Sequence, residues 1–404
     1  MKIAISGVTG LRNRGVEALV DPLVTGLREI FPQASFTVFS GSADYDASRG
    51  IMHDLEVVAE GAFLPVSKTL KQRVAEKLHL VPTRVPIYRW PGFADFDLLV
   101  VTGGDVFSSE YGDWSLERHL VPMRIAHQQG TPIVIFAQSI GPFTSEHHRD
   151  SWMKEASKAS LISVREKRTY EYLTGDLGLS MDKVKFVADP AFLLHANDST
   201  KQWLRRSWQS NEGVVAIALS QGICQWSGVS REAWLATWVE LIRRMIEYWR
   251  VKIVLVPHVQ EPYANDLIAC TDVWRLLEFP EEVSVLGADL SASEYKGIIS
   301  ECSMVIAERM HAGIAGLSSG VCTSIVAYSV KARGVIADVL GSELAAEGAA
   351  LEASAFVSAD VVWNKIDRIW NKRSIVAGQI AKQLPHIQAM AKSAFEMLPA
   401  ALMR

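Results

Sequence analysis

The chain is 404 residues long, 49% hydrophobic and 21% charged, with a formal net charge of −4. That length exceeds what one hydrophobic core supports, so two domains are expected, and the mixed, near-neutral charge excludes a disordered chain and a nucleic-acid partner. The four cysteines, Cys224, Cys270, Cys302 and Cys322, have neither CxxC nor Cys/His ligand spacing, which excludes a zinc site or disulfide framework and fits a reducing cytoplasm.

The opening "MKIAISGVTG" is a strand pattern that meets a glycine turn before a signal-peptide core could develop, so export is not expected. Its continuation "GLRNRGVEAL" brings Gly10, Asn13 and Gly15, a spacing unlike GxGxxG, which argues against a dinucleotide site. The apolar runs "FTVFS", "DLLVVTGG", "PIVIFAQS", "LISVRE" and "VKFVADP" follow, each closed by turn residues and a helical pattern. Such alternation predicts βαβ units on a parallel sheet, whose strands are buried on both faces and lose period-two patterning. The stretch "VSKTLKQRVAEKLHLVPTRVPIYRW" gathers Lys68, Lys71, Arg73, Lys77, Arg84 and Arg89 with Val66, Leu70, Val74 and Leu78 spaced four apart. It reads as a helix packed on the first domain or as a basic face for peripheral contact with an anionic membrane.

Three strand ends in this half carry candidate residues. Gly103 and Gly104 permit close backbone approach, and Asp105 after them can orient a hydroxyl or cap a helix. Arg165 ends "LISVR", and Asp189 in "ADPAF" reads as structural.

The polar segment "HANDSTKQWLRRSWQSNEG" interrupts the alternation, which restarts at "VVAIALS"; the expected divisions are 1–195, 196–358 and a helical segment 359–404. In the second half Ser230 is placed to cap a long helix, "KIVLVPHV" forms a strand ending at His258, and "SASE" from Ser291 matches a capping box. No window of about 18 residues is apolar without interruption, so no membrane span is expected.

The strand "SMVIAE" leads into "RMHAGIAGLSSG", with Arg309 and His311 two positions apart. On a helix such residues point about 200° apart, so both face one ligand only from a turn. The expectation is a strand ending near Glu308 and a helix beginning just after His311, its first amides turned toward an anion. A structural ion pair with a capping histidine is the ordinary alternative.

In order, "GVTGLRNRGVEAL", "TGGD", "FAQSIGP", "SVREK", "ADPAF", "VPHV" and "ERMHAGIAG" make the chain resemble the polysaccharide pyruvyl transferase family, from near the N-terminus to about residue 340. Val16 stands where the family commonly has an acidic residue, and Asp105 where many members have a third glycine. The resemblance implies an α/β fold of two Rossmann-like domains facing a central cleft, similar to the B-type glycosyltransferases (GT-B-like). It implies transfer of a pyruvyl group from phosphoenolpyruvate to a sugar, closing a ketal, in the synthesis of a cell-surface polysaccharide. The family's RxH motif carries over to Arg309 and His311. Arg165 and Arg309 are then expected to clamp the donor, with the Met310 amide beside them. His311 is assigned as the acid and Asp105 as the base, because imidazole titrates near neutrality. Gly103, Gly104, Asn13, His258 and Glu308 complete the expected binding residues. No metal or cofactor beyond the donor is called for, and the acceptor is a sugar, lipid-linked or free, met in the cytoplasm at the inner face of the plasma membrane. Two other readings stay open: a nucleotide-sugar glycosyltransferase with Glu308 on a ribose, and a catalytically silent glycan-binding protein.

Overall fold

The structure, a computed structural model, describes residues 1–64, 87–90, 92–207, 213–327 and 330–402. The basic stretch from Lys68 to Arg84 lies outside the described residues.

The chain forms two compact units, interleaved in sequence: Met1–Gly10, Leu27–Val187 and the segment from Ala394 make the first, Leu11–Gly26 with Ala188–Ser393 the second. These bounds differ from the expected 1–195, 196–358 and 359–404, and the cores explain why. Ala18, Leu19, Ala188, Phe192 and Leu194 all join the apolar core of the second unit, as do Ile366, Val376 and Ile387 from the C-terminal helices. At the far end Phe395 packs on Phe136 of the first unit, ring centroids 4.9 Å apart. The polar stretch after His195 folds as the helix Asp198–Ser207, which buries Leu204 and so belongs inside the second unit rather than between two.

The first unit is built on seven strands: β1 (Lys2–Val8), β2 (Ser35–Ser40), β3 (Glu56–Ala59), β6 (Leu98–Val101), β7 (Ile133–Gln138), β8 (Leu161–Val164) and β9 (Val184–Phe186). They are ordered β3-β2-β1-β6-β7-β8-β9, every neighbouring pair parallel. A small antiparallel pair, β4 (Ala62–Leu64) and β5 (Ile87–Arg89), stands apart. The second unit has β10 (Val214–Ala218), β11 (Lys252–Leu255), β14 (Val283–Val285), β15 (Met304–Ala307), β16 (Cys322–Ala327) and β17 (Ala350–Glu352) in the order β14-β11-β10-β15-β16-β17, again parallel. The hairpin strands β12 (Gln260–Glu261) and β13 (Ala264–Asn265) lie between β11 and β14 in the chain. Both sheets are thus doubly wound and reverse direction of winding once, between β1 and β6 and between β10 and β15. At such a switch point the loops beyond the strand ends diverge and leave room for a ligand. Among the described residues no helix is long and apolar enough to cross a membrane.

Ser230 caps the helix Arg231–Arg244, accepting from the Ala233 amide, and Ser291 with Glu294 forms the capping box of Ala292–Ile299. The first of these helices delivers Trp234 and Trp238, four apart and so on one face, to the end of β15. There both indole N–H groups donate to Glu308 Oε1, at 2.7 and 2.9 Å, and the Ser220 amide donates to Oε2 at 2.7 Å. Glu308, expected among the binding residues, is thus buried, and its carboxyl group holds β15 to the helix and to the end of β10.

Burial pushes the Glu308 carboxyl up to about 7, against three N–H donors that favour the ionised form. The folded state then holds that proton more tightly than the unfolded chain, so this contribution to stability falls as pH rises from the free carboxyl value toward 7. Glu308→Gln keeps one oxygen for the indoles but sets amide protons against the Ser220 N–H, and is expected to cost about 1–3 kcal/mol in urea unfolding. The cost should shrink between pH 5 and 7; a cost that grows over that range contradicts the upward shift.

Candidate functional site

The strand end at Ala307 and the next helix, Met310–Leu317, place Arg309 in an extended conformation (φ −99°, ψ 117°) as N-cap. The helix begins at Met310, earlier than expected, because the Ala312 and Gly313 amides already bond to the Arg309 carbonyl. Arg309 thus leaves from outside the helix while His311 sits on its first turn, which removes the opposition that a two-residue spacing imposes within a helix. The small residues that follow serve packing. A Cβ on Gly313 would meet Ile325 at 2.4 Å and one on Gly316 would meet Thr323 Oγ1 at 2.4 Å, so only glycine lets this helix lie so close to β16.

Arg309 is gripped by Asp266: Nε donates to Oδ2 at 2.9 Å and Nη2 to Oδ1 at 2.7 Å. Asp266, fully buried, also accepts from the amides of Gln221 (3.0 Å) and Val259 (2.9 Å). The His311 ring lies with Nε2 3.7 Å from Asp189 Oδ2, while Asp189 Oδ1 caps the turn Pro190–Leu193 through the Ala191 amide. On its other side, Nδ1 faces Gly15, where a Cβ would stand 2.6 Å away. The glycine is the space the imidazole occupies.

Asn13 caps the helix Arg14–Ile30: its carbonyl accepts from Val16 and Glu17, and its Oδ1 accepts from the Gly15 amide at 3.0 Å. The same loop runs beside the end of β11, with the Arg14 amide donating to the His258 carbonyl (3.0 Å), the Gln260 amide to the Arg12 carbonyl (2.9 Å), and Asn13 bridged to Val259. Arg14 is fully buried and pairs with Glu17 at 3.2 Å and with Asp289. His258 is buried as well. Burial first, then the positive charges of His311, Arg309 and Arg14, hold its imidazole well below the ordinary range.

The first unit forms a second cluster at its own switch point. Gly103 (φ 116°) and Gly104 (φ 87°) follow β6, and a Cβ on Gly103 would lie 2.4 Å from the Gly7 carbonyl. Gln138 Nε2 donates to the carbonyls of Val101 and Thr102 at 2.9 and 3.0 Å, and the Ser139 amide to that of Gly104 at 2.7 Å. These bonds are aimed by a bulge in β7, where Ala137 takes φ 47° and its amide turns to Ser163 Oγ. Asp105 accepts from the Tyr111 hydroxyl at 2.8 Å. Arg165 is buried, its Nε donating to Ser139 Oγ at 2.9 Å, and Ser139 in turn donates to Glu166.

The structure thus gathers Asn13, His258, Arg309, Met310 and His311 in the second unit, and Gly103, Gly104, Asp105 and Arg165 in the first. Sequence reasoning passed over Arg14, Glu17, Asp266 and Asp289, and read Asp189 as structural only. Arg14 and Glu17 stood inside the quoted "LRNRGVEAL", where buried charge on a helix start was the available signal.

Two doubly wound parallel sheets, each with polar side chains gathered at its switch point, define a GT-B-like α/β protein. Solved structures of that class are similar in fold alone. UDP-GlcNAc 2-epimerase from Neisseria meningitidis, bound to UDP-GlcNAc, aligns over 100% of both chains with TM-score 0.61 and 11% identity. The Methanocaldococcus jannaschii UDP-GlcNAc 2-epimerase aligns over 96% of this chain and 100% of its own (TM-score 0.58, 11% identity). Anabaena Alr3699/HepE in complex with UDP and glucose aligns over 99% of this chain and 100% of its own (0.55, 13%). No curated protein matches the sequence. The model of the polysaccharide pyruvyl transferase family matches residues 13–330, and the chain belongs to that family.

Gly15→Ala is expected to push the His311 ring out of place while the protein stays folded. The His311 ring resonances in histidine-labelled protein report it; unchanged resonances would mean that the loop gives way instead.

Proposed function

We propose that the protein transfers a pyruvyl group from phosphoenolpyruvate to a sugar hydroxyl of a polysaccharide precursor and closes a ketal. The observation that carries this reading is Arg309, held in a fixed plane beside His311 at the first turn of a helix. A small donor with a phosphate and a carboxylate suits an arginine fork and the N-terminal end of a helix. In this scheme His311 gives its proton to the donor's methylene carbon, converting it to a methyl and leaving cationic character on the ether carbon. Asp189 gives the protonated ring a carboxylate to pair with before transfer.

A sugar hydroxyl attacks the ether carbon and yields its proton to a base. The C–O bond to phosphate then breaks, releasing inorganic phosphate whose departing charge the arginine holds, and a second sugar hydroxyl attacks the same carbon, gives its proton to the now neutral His311 ring and closes the ketal. The nucleotide-sugar reading needed Glu308 for a ribose, and that carboxylate already serves two indoles and an amide.

Thermal unfolding with phosphoenolpyruvate, and separately with UDP-sugars, separates the two. A ligand at a hundred times its dissociation constant stabilises by about 2.7 kcal/mol. Phosphoenolpyruvate should raise the midpoint of the wild type and do so much less for Arg309→Lys, which keeps the charge but loses the fork. Stabilisation by UDP-sugars alone would replace pyruvyl transfer with glycosyl transfer.

A further inference from the structure

The geometry points to Asp266 as the positioning residue that sets the plane and reach of Arg309 for the anionic donor, an inference that rests on the donor reading above. Asp266 is the first residue of the helix Asp266–Leu276 and is fully buried, whereas the Arg309 side chain keeps 25% of its surface exposed. The carboxylate is the fixed partner, and the guanidinium is the one that reaches outward.

Its fixation is multiple. Oδ1 accepts from the Gln221 amide and Oδ2 from the Val259 amide, so both oxygens are oriented by backbone before the arginine arrives. The Asp266 amide returns a bond to the Val259 carbonyl at 2.8 Å, and the Asn265 amide bonds to Gln221 Oε1 at 2.6 Å. Two loops and a helix start therefore hold the carboxylate rigidly. A fork-to-fork pair then sets the guanidinium in the carboxylate plane, with Nε and one edge of Nη2 turned inward. An ordinary surface ion pair has no such backbone support.

Asp266→Asn removes the fork while leaving Arg309 charged. In protein labelled with [15N]arginine, the Nε–H resonance of Arg309, identified by its loss in Arg309→Lys, reads the clamp with no ligand present. The expected result is a moved or broadened Nε–H signal together with phosphoenolpyruvate affinity lower by on the order of tenfold or more. Should Asp266→Asn not fold, Asp266→Glu keeps the charge and pushes the guanidinium outward by about one methylene, with the same two effects expected.

A folded variant whose Nε–H signal is unchanged, or whose signal moves while phosphoenolpyruvate binds as in the wild type, overturns the inference. If the wild type itself does not bind phosphoenolpyruvate yet the signal moves in Asp266→Asn, the donor assignment fails and the clamp on Arg309 stands.

Discussion

One buried carboxylate organises the second unit's switch point. Asp266 takes four N–H bonds, two from backbone amides at the ends of different loops and two from Arg309. A fully buried carboxylate is tolerated only when its charge is matched and its lone pairs are filled, and each donor here meets that requirement. The consequence is that the loops after β10 and β11 and the cap of the helix Met310–Leu317 cannot shift independently. Everything proposed for Arg309 and His311 depends on that mutual fixation.

The second constraint is the route of the chain. Residues Leu11–Gly26 leave the first unit's β1 and complete the second unit, so the loop that caps the helix Arg14–Ile30 also supplies the wall beside His311. Buried Arg14 with its partners Glu17 and Asp289, and the bridge from Asn13 to Val259, tie this excursion down. The space for the imidazole and the residue that fills it lie almost 300 positions apart in sequence, and each requires the other.

Much of the fold was legible because parallel strands buried on both faces write themselves as apolar runs; β1, β2, β6 to β11 and β15 all match such runs. The strand β16 carries Thr323 and Ser324 within "CTSIVA" and gives no such run, while β3, β14 and β17 are short strands toward sheet edges. The caps at Ser230 and Ser291 were readable because capping is a local pattern. Asp266 was not, since nothing within "YANDLIAC" marks it and its partner lies 43 residues on. The interleaving of the units was hidden for a related reason. The helix Arg14–Ile30 carries an apolar stripe of Val16, Leu19, Val20, Leu23 and Leu27, but such a stripe says only that a face is buried and not which core it joins. The indole partners of Glu308 were not readable, because a carboxylate at a strand end looks alike in sequence whether it meets a ligand or two indoles.

The most direct test of the central claim is a crystal structure with phosphoenolpyruvate bound. The account predicts the donor's phosphate or carboxylate in hydrogen-bond contact with Arg309 and the Met310 or His311 amide, with the methylene carbon facing the His311 ring. A donor bound elsewhere, with Arg309 and His311 untouched, would contradict it.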